Sequence, residues 1–232
     1  MDSFTHALII AILLSLIGRP DLAAYGVLGA VLIDLDILFS LFSDKDPRLY
    51  IFTHGGFTHS FFGAFTMALL ISMPTFLLSG LKPFDDLLPS FGLPALAAIA
   101  MGALTHISAD YLAYPGIPLL YPMSDKKHTL GIFGGPNLLI MLASVAYIAF
   151  MSAGLASIEQ PWLYVATFLL ILAFCTGAKA CAALKTKGHT IATPNPFKWL
   201  VVENSPEAYR FYDNGAVGPR RLVLSRCPVC FN

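Results

Sequence analysis

The chain alternates between long apolar runs and short polar breaks. Six runs stand out, at about 3–18, 22–43, 59–81, 91–113, 137–157 and 162–184, and Gly and Pro gather between them. An apolar stretch of roughly 20 residues is long enough to cross a bilayer as an α-helix, so the pattern predicts an all-α, polytopic membrane helical bundle of about six spans. The first run is the shortest: even counted from Met1 it rises only ~27 Å against a hydrocarbon core of roughly 30 Å. Asp2 precedes it instead of Lys or Arg, and no clean small-x-small site follows, which sets it apart from a signal peptide. No internal repeat and no Walker-type glycine loop interrupts the pattern.

Beyond residue 185 the chain turns polar and proline-containing, with one strand-like stretch, Trp199-Leu200-Val201-Val202. The expected division is a transmembrane metal-site domain, 1–184, and a short cytoplasmic C-terminal segment, 185–232, too short to be read as an independent fold.

Composition agrees with lipid as the solvent. The 232 residues are 56% hydrophobic and 12% charged, with a net charge of zero and a mean hydropathy of +0.71. A soluble domain carries about 25% charged residues, and half that number cannot cover a particle of this size with solvated groups. A neutral chain also lacks the basic face that displaces counterions from nucleic acid, so no nucleic-acid partner is expected. Cys175 and Cys181 lie in an apolar run and Cys227 and Cys230 at the C-terminal end, which makes no disulfide framework. Cys227-Pro-Val-Cys230 is half of a zinc-ribbon site without its other half, and reads as incidental or completed by another chain instead of as a closed site. With six spans, Lys45, Arg48, Lys126, Lys127 and seven basic residues of the tail fall on one side, against only Arg19 and Lys82 on the other. That bias predicts an integral membrane protein with both termini cytoplasmic.

Several ionisable residues then lie in the wrong solvent: His6 in the first run, Asp34 and Asp36 in the second, His59 opening the third, His106 and Asp110 in the fourth. An Asp at a helix centre costs ~2.5–3.5 kcal/mol on insertion scales, so it persists only when paired, neutralised or bound to a cation. Alternating spans place all of these groups within roughly 5–14 Å of the same membrane face, with His54 and His59 flanking the loop that enters there. Convergent imidazoles and carboxylates are the donor set of a divalent cation, zinc first and manganese or iron second. His106-x-x-x-Asp110 has the i, i+4 spacing that stacks two side chains on one helical face. Asp34 and Asp36 are ~200° apart on an α-helix and cannot both face one metal unless the helix is distorted. One ligates, and the other orients a His or faces a second metal. His128 and His189, beside Lys in hydrophilic segments, read as surface residues.

The same residues carry a family resemblance. Met1-Asp2-Ser3-Phe4-Thr5-His6, Asp34-Leu35-Asp36, His54-Gly55-Gly56-Phe57-Thr58-His59-Ser60, and His106-Ile107-Ser108-Ala109-Asp110 with Gly116-Ile117-Pro118-Leu119-Leu120-Tyr121-Pro122 resemble, in order and spacing over about residues 1–125, the YdjM-type family. Its members are inner-membrane, metal-dependent hydrolases also described as LexA-binding. The order of ligands is similar to the zinc-dependent phospholipase C and single-strand nuclease superfamily, whose helical proteins cleave phosphate esters with clustered zinc. The resemblance implies that His6, Asp36 or Asp34, His54 or His59, His106 and Asp110 ligate a dinuclear centre, with Asp110 a candidate bridge. Gly55 and Ile33 depart from the family's usual Arg and Pro.

The expected function is a membrane-embedded metal-dependent hydrolase, metal-bound water attacking an ester. The substrate class is a phosphate ester of a lipid or amphipathic molecule, with Asp110, Asp34 and His59 as catalytic candidates. Two other readings use the same cluster: a divalent-cation or proton transporter, and a regulatory membrane protein with a structural metal.

Overall fold

The computed structural model describes residues 1–38, 55–84, 87–88, 90–185, 189–195, 197–204, 209–215 and 221–226. Each of the six apolar runs contains a helix: α1 (Ser3–Leu16), α2 (Ala23–Val31), α3 (Phe61–Leu78), α4 (Leu93–Tyr111), α5 (Leu138–Ser152) and α6 (Trp162–Lys185). Only three, Phe61–Leu78, Leu93–Tyr111 and Trp162–Leu184, are long and apolar enough to cross a membrane, so six spans are not supported. The shortfall has local causes. Asp2 caps α1 by accepting from the Thr5 amide, and Gly18, at φ 76°, closes it after 14 residues, or ~21 Å. Helix α2 runs for nine residues before the backbone tightens into a 3-10 turn, Leu32–Asp36. Helix α5, opened by the Asn137 side chain on the Leu139 and Ile140 amides, has 15.

Helices α1, α2, α3 and α4 pack around one core that includes Ile10, Tyr25, Ile33, Ile99, Ala103 and Ile107. The α2–α4 crossing is a backbone contact. A Cβ on Gly29 would run into the Ile99 carbonyl, and one on Gly102 into the Gly26 carbonyl, so both positions need glycine for the helices to meet. On the outward side of α3, Phe62, Phe65, Leu69, Met73 and Phe76 are exposed, as Trp162, Leu163 and Leu170 are on α6. Large apolar side chains turned outward along the long helices are the surface that lipid solvates.

The structure is not all-α. β1 (Ala113–Tyr114) pairs in parallel with β2 (Phe133–Gly134). The tail forms a four-stranded antiparallel meander of β3 (His189–Ala192), β4 (Lys198–Asn204), β5 (Tyr209–Gly215) and β6 (Arg221–Arg226). The strand-like stretch at Trp199–Val202 is the middle of β4, and its partners are Thr190 opposite Val201 and Asp213 opposite Leu200. The sheet is seated on the bundle: Trp199 is 2% exposed and packs with Ala182 and Ala192 against Ala178 and Tyr114. Cys227 and Cys230 lie outside the described residues.

Candidate metal centre

Chain direction alternates through α1, α2, α3 and α4, which brings the first turn of α1, the far end of α2, the turn before α3 and the last turns of α4 to one end of the bundle. His6 comes from α1, Asp34 and Asp36 from the 3-10 turn after α2, His59 from a second 3-10 turn, Phe57–His59, and His106 and Asp110 from α4. His54 lies outside the described residues.

His59 and His106 meet with their Nε2 atoms 3.1 Å apart. Asp34 Oδ1 lies 3.6 Å from His59 Nε2 and 3.5 Å from His106 Nε2. Asp110 Oδ2 lies 3.4 and 3.3 Å from the same two nitrogens. The other oxygen of Asp110, Oδ1, is 3.3 Å from His6 Nε2, so this carboxylate turns one oxygen to each side of the cluster. The Met1 amino group also bonds Asp110 Oδ1. His6 stacks on His106, centroids 3.8 Å apart, and although it is buried neither ring nitrogen has a hydrogen-bond partner. The three imidazoles are at most 1% exposed, while Asp110 and Asp34 reach the surface at 12% and 20%.

Hydrogen bonds on the far side of each ring orient it. His106 Nδ1 donates to the Ala30 carbonyl, in the last turn of α2, at 2.7 Å. Its Nε2 lone pair therefore faces the cluster. His59 Nδ1 lies 3.2 Å from Asp36 Oδ2, and the Thr58 hydroxyl donates to the same carboxylate. The 3-10 turn separates the two aspartates: at ~120° per residue instead of ~100°, Asp34 points to one edge of the His59 ring and Asp36 to the other. Burial opposes a charge on His59, but its bonds to Asp110, Asp34 and Asp36 outweigh that and hold its pKa well above the ordinary value.

The donor set fits a cation. Zinc bonds of 2.0–2.2 Å in a tetrahedron place neighbouring donors about 3.3–3.6 Å apart. Five of the six separations among His59 Nε2, His106 Nε2, Asp34 Oδ1 and Asp110 Oδ2, those that involve a histidine, run from 3.1 to 3.6 Å. Two overlapping triads, His6-Asp34-His106 and His59-His106-Asp110, share His106. Among the described residues, every buried acid or imidazole belongs to this group.

A cavity of about 200 Å³ opens over His59 and Asp110, walled by the Ala113–Ile117 segment, Gly135 and Pro136, with Lys127 on its lining. Sequence reasoning missed Thr58, the Ala30 carbonyl, and Ser3, whose hydroxyl donates to Asp34 Oδ2 at 3.1 Å. Thr58 adjoins the predicted ligand His59 and Ser3 precedes His6 by three residues, which was a usable signal; the carbonyl has none in the sequence.

No curated protein and no solved structure matches the chain, and the wider likeness to phospholipases and nucleases gains no support from such a comparison. One family does match: the YdjM inner membrane protein family, over residues 1–184. With three helices able to cross a bilayer and the quoted motifs gathered at one end of the bundle, the chain is a membrane protein of the YdjM family.

Proposed function

We propose that this protein is a membrane-embedded metal-dependent hydrolase. Asp34, His59, His106 and Asp110 hold one divalent cation, zinc first and manganese second, and His6 with Asp110 Oδ1 supports a second. The observation that carries the reading is the set of five donor separations, 3.1–3.6 Å, around a point that a cavity reaches. A cation there supplies Lewis acidity and lowers the pKa of a water toward neutrality. The protein's part is to aim and dry the site. Ala30 and Asp36 fix the two rings so that both Nε2 atoms face the cluster, the arrangement that raises ligand basicity and orients the donor. Asp110, partly exposed, lines the cavity where a reacting ester is admitted, and phosphate esters are the first class to assay.

A carrier reading is less favoured, because toward the other end of the bundle the buried polar side chain among the described residues is the uncharged Thr75, near the end of α3. The test is elemental analysis of the detergent-purified protein. One or two zinc equivalents in the wild type, lost in His106→Ala and Asp110→Ala, with hydrolysis of a phosphate-ester panel lost in parallel, support the hydrolase. A metal-free wild type that cannot be loaded overturns it.

A further inference from the structure

Resting on that reading, we infer that the cavity beside the metal centre is an anion pocket of headgroup size, with Lys127 the residue that selects a phosphoryl-type anion. Lys127 is not on a loose loop. Ile117 and His128 exchange both backbone hydrogen bonds, at 3.1 and 2.8 Å. Thr129 Oγ1 donates to the Ala113 carbonyl at 2.7 Å, and Leu130 and Ile132 bond back to Tyr111 and Leu112. Residues 128–132 are thus stitched along the segment that leaves α4, and Lys127 is held one residue from the stitch. Gly116, at φ 87°, presses on the His128 carbonyl so closely that a Cβ would overlap it, which locks the two walls together.

Among the described residues the lining holds one lysine, Lys127, and one carboxylate, Asp110, beside His59 and Met1, and Lys127 makes no ion pair with the described residues. Asp110 is engaged by His6, His59, His106 and the Met1 amino group, which leaves the ammonium unspent. A cation fixed beside a metal-ligating carboxylate recognises an anion that touches both the metal and the lysine. Volume sets the size. About 200 Å³ leaves room for a phosphoryl group with a short substituent.

The test uses the full chain in phosphatidylcholine nanodiscs, zinc-loaded, titrated with inorganic phosphate by calorimetry. Lys127→Gln is expected to weaken binding about tenfold or more, Lys127→Arg to restore most of it, and Lys126→Gln, outside the lining, to leave it unchanged. Equal phosphate affinity in wild type and Lys127→Gln, or an equal loss in Lys126→Gln, overturns the proposal. Zinc content is measured on every sample. Zinc bound without phosphate binding sinks the pocket and spares the metal centre, whereas Lys127-dependent phosphate binding in a protein that takes up no zinc does the reverse. Repeating the titration in nanodiscs containing phosphatidylglycerol separates the sources: competition seen in wild type and lost in Lys127→Gln identifies a lipid headgroup, and none identifies a soluble phosphate ester.

Discussion

His59 and His106, 47 residues apart in sequence, point their Nε2 atoms at each other across 3.1 Å while their Nδ1 atoms are held by Asp36 and the Ala30 carbonyl. With both Nδ1 atoms protonated, two lone pairs face each other at hydrogen-bond distance. A proton or a cation must lie between them for the pair to be stable.

Thr58 is the least obvious support of that pair. Its hydroxyl donates to Asp36 and lies 3.0 Å from His59 Nδ1. Thr58→Val keeps the shape and removes both contacts, so metal affinity is expected to fall 10–100-fold with helix content unchanged. Competition against a chromophoric chelator, alongside circular dichroism, measures both.

The raised pKa of His59 sets the direction of the pH response. A group whose pKa is raised by folding stabilises the metal-free fold at low pH, and that contribution fades as pH rises through the folded value. Metal binding runs the opposite way, because the proton must leave first, so affinity is expected to drop by up to about tenfold per pH unit below that value. Thermal unfolding with and without zinc across a pH series should show the two curves diverging as pH rises. Parallel curves would contradict it.

The α2–α4 crossing has no room for a methyl group. Gly29→Ala places its Cβ against the Ile99 backbone, which cannot rotate away, and is expected to destabilise by about 1–3 kcal/mol. Because Ala30 is the next residue and its carbonyl holds His106, zinc uptake should weaken together with stability. Gly177→Ala, in α6 with nothing within 4 Å of the new atom, should be neutral or slightly stabilising. Denaturation in detergent with metal analysis checks both.

A buried chain of hydroxyls ties α1 to α5 and α6: Asp2 to Thr5 at 2.7 Å, Thr5 to Ser144 at 2.7 Å and Ser144 to Tyr164 at 2.8 Å. Ser144→Ala breaks it at its centre and is expected to cost about 0.6–1.7 kcal/mol, the range for interhelical hydrogen bonds in membranes. A double-mutant cycle with Tyr164→Phe should show non-additive losses, since both changes remove the same bond.

Much of this was readable in the chain itself. Apolar runs located the six α-helices of the described residues, and the i, i+4 spacing of His106 and Asp110 placed them together, at 3.3 Å. Alternating direction predicted that His6, Asp34, His59 and His106 would share one end, and Asp34 lies 3.5 Å from His106. The number of crossings was not readable, because hydropathy registers that a run is apolar and says nothing of where a Gly18 cap or a 3-10 turn ends the helix.

What the sequence determined by itself is whatever follows from a repeating backbone: which stretches are helical, which residues stack one turn apart, and that charges so placed need a counter-ion. Tertiary structure alone decided the rest. It divided Asp34 from Asp36 between the two edges of His59, put an Ala30 carbonyl 2.7 Å from His106, held Lys127 over the cavity, and paired the tail into a sheet on α6. Each of these joins residues that are far apart in the chain or turns on how a helix end packs. Such contacts depend on the closeness of approach that glycines and caps permit, and no local pattern encodes that.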